Sequence, residues 1–342
     1  GDVDRAGPRA RVGLKRSSMS KDIPYLHTIV VPTPFPVGPV NVYLAEGDAL
    51  TLVDTGPRYD PAREALHRGL ADLGYGPADL DRIVLTHAHS DHCGLAAELA
   101  HASGAEVVTH RANVAELADY AGQRAERLVF YAQLMREAGV PLRVMMRINR
   151  TRRGYGQYAQ AVEPDGALED GDAIVMGGEA WRVLHTPGHT GGLVCLYQPE
   201  RRVLLSSDHL LRDVSSNPIV EPPVVEGERR PRRLVDYVAQ LQRVAELPVE
   251  RALPGHGEPI QNVEGVVAIR LAFHHERAER ILKILGRRER TVYQISKVVF
   301  PDLDAINRFL AVSEVIGHLD WLEERGRVES RMRGRKRLWR AR

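Results

Sequence analysis

The sequence has few of the residues that stabilise small secreted domains or cross membranes. Its 342 residues include only two cysteines, Cys93 and Cys195, and two cysteines exclude a disulfide framework. No apolar run approaches the roughly 20 residues that a membrane-spanning helix needs, and the first residues show no apolar signal region. We therefore expect a protein that does not cross a membrane and that lies in the cytoplasm.

Aromatic residues are also scarce, at 6% of the chain, and the basic C-terminal segment contains only Trp339. A platform that stacks single-stranded nucleic acid needs aromatic side chains among basic ones. Residues 325–342 have a net charge of +8, whereas residues 19–324 have a net charge of −9. The basic segment could contact phosphates, but a nucleic-acid partner is not favoured because the body that would form its groove is acidic.

Length and composition are those of a globular chain with one large domain or two unequal ones. We predict a disordered extension at residues 1–18, which are rich in Gly, Arg and Ser and show no periodicity. A catalytic domain follows at 19–262. Short β-branched strands at 27–54 and 173–207, separated by Pro and Gly turns, predict sheet packed on sheet with helices outside.

Residues 263–342 differ from the part before them. Apolar periodicity predicts helices at 264–285, 291–299 and about 304–325, followed by a basic hairpin around Arg333-Gly334. This order is the outline of a winged helix. The module is expected either to pack on the catalytic domain or to form a homodimer, and phosphate binding is the alternative.

The stretch 111–160 is predicted to be a mostly helical insert. One interpretation is a helical hairpin packed on the core. The other is a lid whose methionines, Met135, Met145 and Met146, supply an adaptable apolar wall for a substrate. A long loop at 209–231 is expected to form a second wall.

The densest cluster of polar residues is His87-Ala-His89-Ser-Asp91-His92, which directly follows a short apolar strand. In an extended turn, side chains two residues apart project to the same side. The alternative is a polar turn beside a helix N-cap. Cys93 comes next, and we interpret it as a small buried residue rather than a metal ligand or redox group.

Three downstream residues favour a metal site. His189 lies in the turn Thr186-Pro-Gly-His-Thr-Gly-Gly192, Asp208 ends an apolar strand, and His256 lies in Pro254-Gly-His-Gly257. Each follows a strand, so their loops can converge at one sheet edge. Asp54 also ends a strand. The candidate ligands are His87, His89, Asp91, His92, His189, Asp208 and His256.

A set of imidazoles and carboxylates suits zinc, iron or manganese and does not choose among them. Two such cations close together would activate a bound hydroxide and polarise a carbonyl or phosphoryl oxygen. We expect two Zn²⁺ ions per chain, with Fe or Mn as alternatives that the ligand set allows equally. Asp91 is the candidate catalytic residue, because it could orient the hydroxide and carry its proton to the leaving group.

These motifs, in this order across residues 27–262, resemble those of the metallo-β-lactamase superfamily. The resemblance implies an α+β fold, an αββα sandwich with its site at one edge of the paired sheets. It also implies that His87, His89 and His189 hold a first metal and that Asp91, His92 and His256 hold a second. By the same resemblance Asp208 bridges the two metals, and Asp54 is a buried support for the ligand loops.

The sequence constrains the class of reaction more closely than it constrains the substrate. The Thr-Pro-Gly-His-Thr and Pro-Gly-His-Gly motifs resemble the glyoxalase II branch, while residues 263–342 resemble the C-terminal extension of the β-lactamase-like protein 2 group. We expect hydrolysis of a thioester or ester of a small acyl compound. The alternatives are a single-stranded RNA or phosphodiester endonuclease and a mononuclear iron persulfide dioxygenase.

Overall fold

The computed structural model describes residues 23–225 and 227–342. The extension predicted at 1–18 lies outside these residues. The described chain forms two sheets and a separate hairpin, in the strand orders β1-β2-β3-β4-β5-β6, β11-β10-β9-β8-β7 and β12-β13. The strands of the first sheet are β1 (Leu26–Val31), β2 (Val40–Ala45), β3 (Thr51–Val53), β4 (Arg82–Leu85), β5 (Glu106–His110) and β6 (Gly166–Leu168). Those of the second sheet are β7 (Ala173–Met176), β8 (Glu179–His185), β9 (Val194–Gln198), β10 (Val203–Ser207) and β11 (Arg251–Pro254).

Helices cover the outer faces of both sheets. They are α1 (Asp60–Asp72), α2 (Ser90–Cys93), α3 (Ala96–Ser103), α4 (Arg111–Ala118), α5 (Tyr120–Glu137), α6 (Leu142–Gly154), α7 (Arg233–Ala245), α8 (Val263–Leu285), α9 (Val292–Val299) and α10 (Ala305–Glu324). None of these helices is long and apolar enough to cross a membrane.

Three apolar clusters separate the layers. One lies between the sheets and joins residues such as Val53 and Val84 of the first sheet to Trp181 and Leu196 of the second. The other two lie on the outer faces, under α1 and α3 on one side and under α7, α8 and α10 on the other. This layering is the predicted α+β sandwich, and the fold prediction is confirmed.

The strand directions bring the candidate ligands to one edge. β3 and β4 are parallel, as are β10 and β11, so the carboxyl ends of each pair lie side by side. β8 runs in the same direction as β10, because β9 is antiparallel to both. The loops that follow β3, β4, β8, β10 and β11 therefore meet at the edge where the sheets end.

The helical backbone does not run on from α2 into α3. It is interrupted after Cys93, where a Cβ on Gly94 would lie 2.4 Å from the backbone nitrogen of Arg58 and from the carbonyl oxygen of Tyr158. Close backbone packing thus overrides helix propensity there. The strand β6 was not predicted, because three residues give too short a pattern.

The C-terminal elements lie close to their predicted positions and end in the hairpin of β12 (Val328–Arg333) and β13 (Lys336–Ala341). Their apolar side chains join one cluster with α5, α6, α7 and the second sheet, and Phe309 of α10 meets Tyr131 of α5 at a ring distance of 4.9 Å. The division into domains at residue 262 stays a prediction.

Candidate metal centre

Three imidazoles converge after β4 and in the turn between β8 and β9. Nε2 of His87 lies 3.1 Å from Nδ1 of His89, which lies 2.9 Å from Nε2 of His189. Three ring nitrogens at these separations can share one cation. The structure thus brings His87, His89 and His189 together.

A second group forms beside the first. The short helix α2 presents Asp91 and His92, and the loop after β11 presents His256. Oδ2 of Asp91 lies 3.4 Å from Nε2 of His256. His92 is fully buried, so a cation at this position would be largely shielded from solvent.

Asp208 lies between the two groups. Its Oδ1 is 3.5 Å from Nε2 of His92, and its Oδ2 is 3.5 Å from Nε2 of His189 and 3.7 Å from Nε2 of His256. One carboxylate therefore faces ligand atoms of both groups, which is the geometry that a bridging ligand requires. The structure thus brings together all seven candidate ligands.

The hydrogen bonds behind the rings set which nitrogen carries the proton. Nδ1 of His256 lies 2.7 Å from the carbonyl oxygen of Pro39, and Nδ1 of His189 lies 3.1 Å from that of Asn217. Nδ1 of His92 lies 2.7 Å from the carboxylate of Asp54. Because a carbonyl or a carboxylate only accepts, each Nδ1 must donate, and the Nε2 atoms are the ones that would give a lone pair to a cation once they carry no proton.

Several of the candidate ligand atoms that face the centre have no hydrogen-bond partner in the described chain. Nε2 of His92, Nε2 of His256 and Oδ1 of Asp208 are buried and form no hydrogen bond within the described chain. Buried polar atoms are costly unless a partner satisfies them. A convergent set of such atoms, all nitrogen or oxygen, fits divalent transition-metal cations.

The charges at the centre favour the same conclusion. Burial and the neighbouring His92 hold the pKa of His87 well below its usual value, so His87 is neutral and able to donate a lone pair. Burial alone would raise the pKa of Asp208, but the facing His256 and His92 outweigh it and hold this pKa well below normal. The carboxylate is therefore ionised beside the imidazoles.

Asp54 supports the ligands from behind. It is buried and accepts hydrogen bonds from the backbone nitrogen of Thr86 at 2.8 Å, from Oγ1 of Thr86 and from His92. Its backbone φ is +62°, and that of Ser207 is +44°, both in the left-handed region that non-glycine residues rarely adopt. Such strain typically clusters at functional sites.

Sequence reasoning missed several supporting residues. Oγ1 of Thr86 lies 3.1 Å from Nδ1 of His87 and 2.8 Å from Oγ of Ser207. Oγ of Ser216 lies 2.9 Å from Nδ1 of His189. Thr86 could have been suspected from its place beside His87, but Ser216 has no such signal. Cys93 is buried and its thiol donates to the carbonyl of Ala88, in agreement with a packing role.

One cavity of about 620 Å³ opens onto this centre. It is lined at one end by His89, Asp91, His189 and Asp208 and continues between α5, α6 and α10. The loop predicted to form a wall contributes residues from Leu211 to Glu221.

Of the two interpretations of the insert, the one with a methionine wall is wrong. Met135 and Met145 are buried in the core beside the second sheet, and Met146 is exposed outside the cavity lining. The insert instead contributes aromatic and basic side chains to the lining, namely Tyr120, Arg124, Arg127, Tyr131, Arg152 and Tyr155.

Comparison with known proteins places this geometry in a family. Residues 35–256 match the family described as the metallo-beta-lactamase superfamily. The chain belongs to this superfamily. A probable metallo-hydrolase of Bacillus subtilis, YqjP, is 35% identical over 90% of this chain and 94% of its own length. This superfamily member is therefore a metal-dependent hydrolase, as the sequence predicted.

Other relatives extend the similarity. The beta-lactamase-like protein 2 homolog of Caenorhabditis elegans is 26% identical over 87% of this chain and 83% of its own. The human acyl-coenzyme A thioesterase MBLAC2 is 29% identical over 63% of this chain and 72% of its own. The crystal structure of a metallo-beta-lactamase family protein from Thermus thermophilus superposes with a TM-score of 0.80 at 31% identity, covering 94% of this chain and 99% of that one.

Proposed function

We propose that the chain is a thioesterase that hydrolyses the thioester of an organic acyl group with two zinc ions held by the seven candidate ligands. The observation that carries the proposal is the cavity, which joins the His and Asp cluster to walls where aromatic and aliphatic side chains alternate with charged ones. An acyl chain can lie along such walls while its thioester carbonyl meets the metal centre. The name of the human relative supports the same substrate class.

In this proposal His87, His89 and His189 hold one cation, and Asp91, His92 and His256 hold the other, with Asp208 between them. When bound, two divalent cations lower the pKa of water toward neutrality and polarise the substrate carbonyl. Asp91 lines the cavity and is partly accessible, so it can accept a proton from the attacking water and deliver it to the leaving thiolate. Asp54 and Thr86 hold the ligand loops in position.

An RNA endonuclease is less well supported. Among the described residues that line the cavity, none comes from the basic segment 325–342. Several arginines of that segment are neutralised within the chain, since Arg331 pairs with Glu289 and Arg340 pairs with Glu329. Trp339 is buried and offers no surface for base stacking. Cytoplasmic location stays a prediction, and so does the expectation that a nucleic-acid partner of the basic segment is possible but not favoured.

The test is a hydrolysis panel with the zinc-loaded protein. Acyl thioesters of several chain lengths, lactones, a phosphodiester and single-stranded RNA are assayed beside the variant Asp208→Asn. We expect release of free thiol that Asp208→Asn abolishes, whereas the exposed control His101→Ala keeps it. Rapid cleavage of RNA with thioesters and lactones untouched would overturn the proposal.

A further inference from the structure

The insert helices place two arginines without carboxylate partners in the wall of the substrate cavity. Arg124 of α5 and Arg152 of α6 both line it. The guanidinium of Arg152 lies between two aromatic rings, with its central carbon 4.3 Å from the ring centre of Tyr131 and 4.0 Å from that of Phe309. Its Nε is buried and forms no hydrogen bond within the described chain.

The carboxylates around the cavity are already paired with other arginines. Glu116 pairs with Arg127, Glu221 with Arg233 and Glu314 with Arg277. Across the described residues, neither Arg124 nor Arg152 forms an ion pair. Arg124 instead donates to the backbone carbonyl of Arg152 at 2.6 Å. The cavity wall away from the metal ligands therefore carries two uncompensated positive charges.

Partial burial of such charges costs free energy, and a bound anion would offset that cost. A partly buried guanidinium without an anion loses hydration and gains only its contacts with the rings. An anionic group that enters the cavity would receive charge-assisted hydrogen bonds in surroundings where water screens them weakly. The planar donors of arginine suit a carboxylate or a phosphate.

We propose that Arg124 and Arg152 form a subsite for an anionic group of the substrate, a carboxylate or a phosphate, carried away from the scissile bond. The inference rests on the proposed thioesterase function and narrows its substrate class. The anion has two potential sources, a carboxylate at the end of the acyl chain or a phosphate of the thiol carrier. Both share the chemistry that the two guanidinium groups recognise.

Three thioesters with acyl chains of equal length separate these sources. The first is a neutral acyl thioester of N-acetylcysteamine, the second is the monothioester of a dicarboxylic acid with the same thiol, and the third is the neutral acyl thioester of coenzyme A. We expect kcat/KM for one charged substrate to exceed that for the neutral one by about tenfold or more. The charged substrate that is preferred identifies the source of the anion.

The arginine variants then test the assignment. Arg152→Gln and Arg124→Gln should each lower kcat/KM for the preferred charged thioester about tenfold, mainly through KM, and leave the neutral thioester within about twofold. Arg153→Gln, on the exposed side of the same helix, is the matched control and should change neither. Equal losses on neutral and charged substrates would overturn the subsite.

If no thioester is hydrolysed, the proposed function is refuted. The subsite itself is then tested by a binding measurement. Glutarate and adenosine 3′,5′-bisphosphate are titrated calorimetrically into the zinc-loaded protein and into the double variant R124Q/R152Q. We expect one of the two anions to bind and the double variant to bind it at least about tenfold more weakly. If Arg152→Gln does not fold, Arg124→Gln alone is used. Equal binding by wild type and variant, or no binding of either anion, would contradict the proposal.

Discussion

The ring of His92 donates its Nδ1 hydrogen to the carboxylate of Asp54 across 2.7 Å, with both side chains buried. The same carboxylate receives the backbone N–H and the hydroxyl of Thr86, the residue that precedes His87. Asp54 therefore links one ligand of each proposed metal position. The two positions are expected to respond together when this carboxylate is changed.

Replacing Asp54 by Asn tests that link. The amide keeps the shape but loses the charge and one acceptor, so the tautomer of His92 is no longer held. We expect zinc affinity, measured by competition with a chelator, to fall about 10- to 100-fold. The exposed Asp48→Asn is the control. Affinity within about twofold of wild type would show that Asp54 does not orient His92.

Gly255 allows the loop of His256 to pass close to Asp208. An added Cβ would lie 2.4 Å from Oδ1 of Asp208 and 2.9 Å from Cε1 of His92, separations that force a movement. We expect Gly255→Ala to lower bound zinc below one ion per chain and to abolish hydrolysis. Gly76→Ala, whose nearest neighbour would be 3.6 Å away, should behave as wild type. Full metal content in Gly255→Ala would refute the close approach.

A buried histidine pair predicts loss of stability in acid. His274 donates from Nδ1 to Nε2 of His318 at 3.3 Å, because Nδ1 of His318 lies 2.8 Å from the carbonyl oxygen of Glu314. Burial, followed by the charge of His318, lowers the pKa of His274 to about 3, and burial lowers the pKa of His318 to about 4.

The sign of the pH dependence follows from how the folded and the unfolded chain bind protons. Both rings are neutral in the folded chain, whereas in the unfolded chain they bind protons near pH 6.5. Their contribution is complete above pH 6.5 and is lost as the pH falls from there toward about 4. We expect His274→Gln to reduce the slope of unfolding free energy against pH by about 1.4 kcal/mol per pH unit near pH 5. An unchanged slope, as in the control His101→Gln, would contradict this.

The packing of α10 predicts how the C-terminal part unfolds. Phe309 is fully buried in the cluster that also contains Tyr131 and apolar residues of the second sheet. Phe309→Ala should cost about 3–5 kcal/mol and should lower the temperature of a single unfolding transition, followed by calorimetry. Two separate transitions, of which only the one that belongs to the C-terminal part is shifted, would instead support an autonomous domain at 263–342.

Much of the centre could be predicted because each ligand type stands at a recognisable position. His87, Asp208 and His256 each follow an apolar strand, and strand direction alone brings such loops to one edge. Ser216 could not be predicted, since its contact with His189 depends on how a long loop folds over the sheet.

The orientation of the insert helices could not be predicted. The insert was predicted to be mostly helical, but a helix between a core and a cavity is covered on two faces. Apolar periodicity does not say which face meets the core and which meets the cavity. Met135 and Met145 proved to face the core. The cavity side holds Arg124 and Arg152. The aromatic neighbours of Arg152 come from α5 and α10, which are distant from it in sequence.

Elemental analysis of the purified chain measures whether it holds the two metals of the proposed hydrolytic site. We expect about two zinc ions per chain in the wild type and about one in His256→Ala, with activity lost in the variant. His101→Ala should retain both ions. One iron per chain, together with consumption of oxygen in the presence of a persulfide, would show that the site is not a two-metal hydrolytic centre.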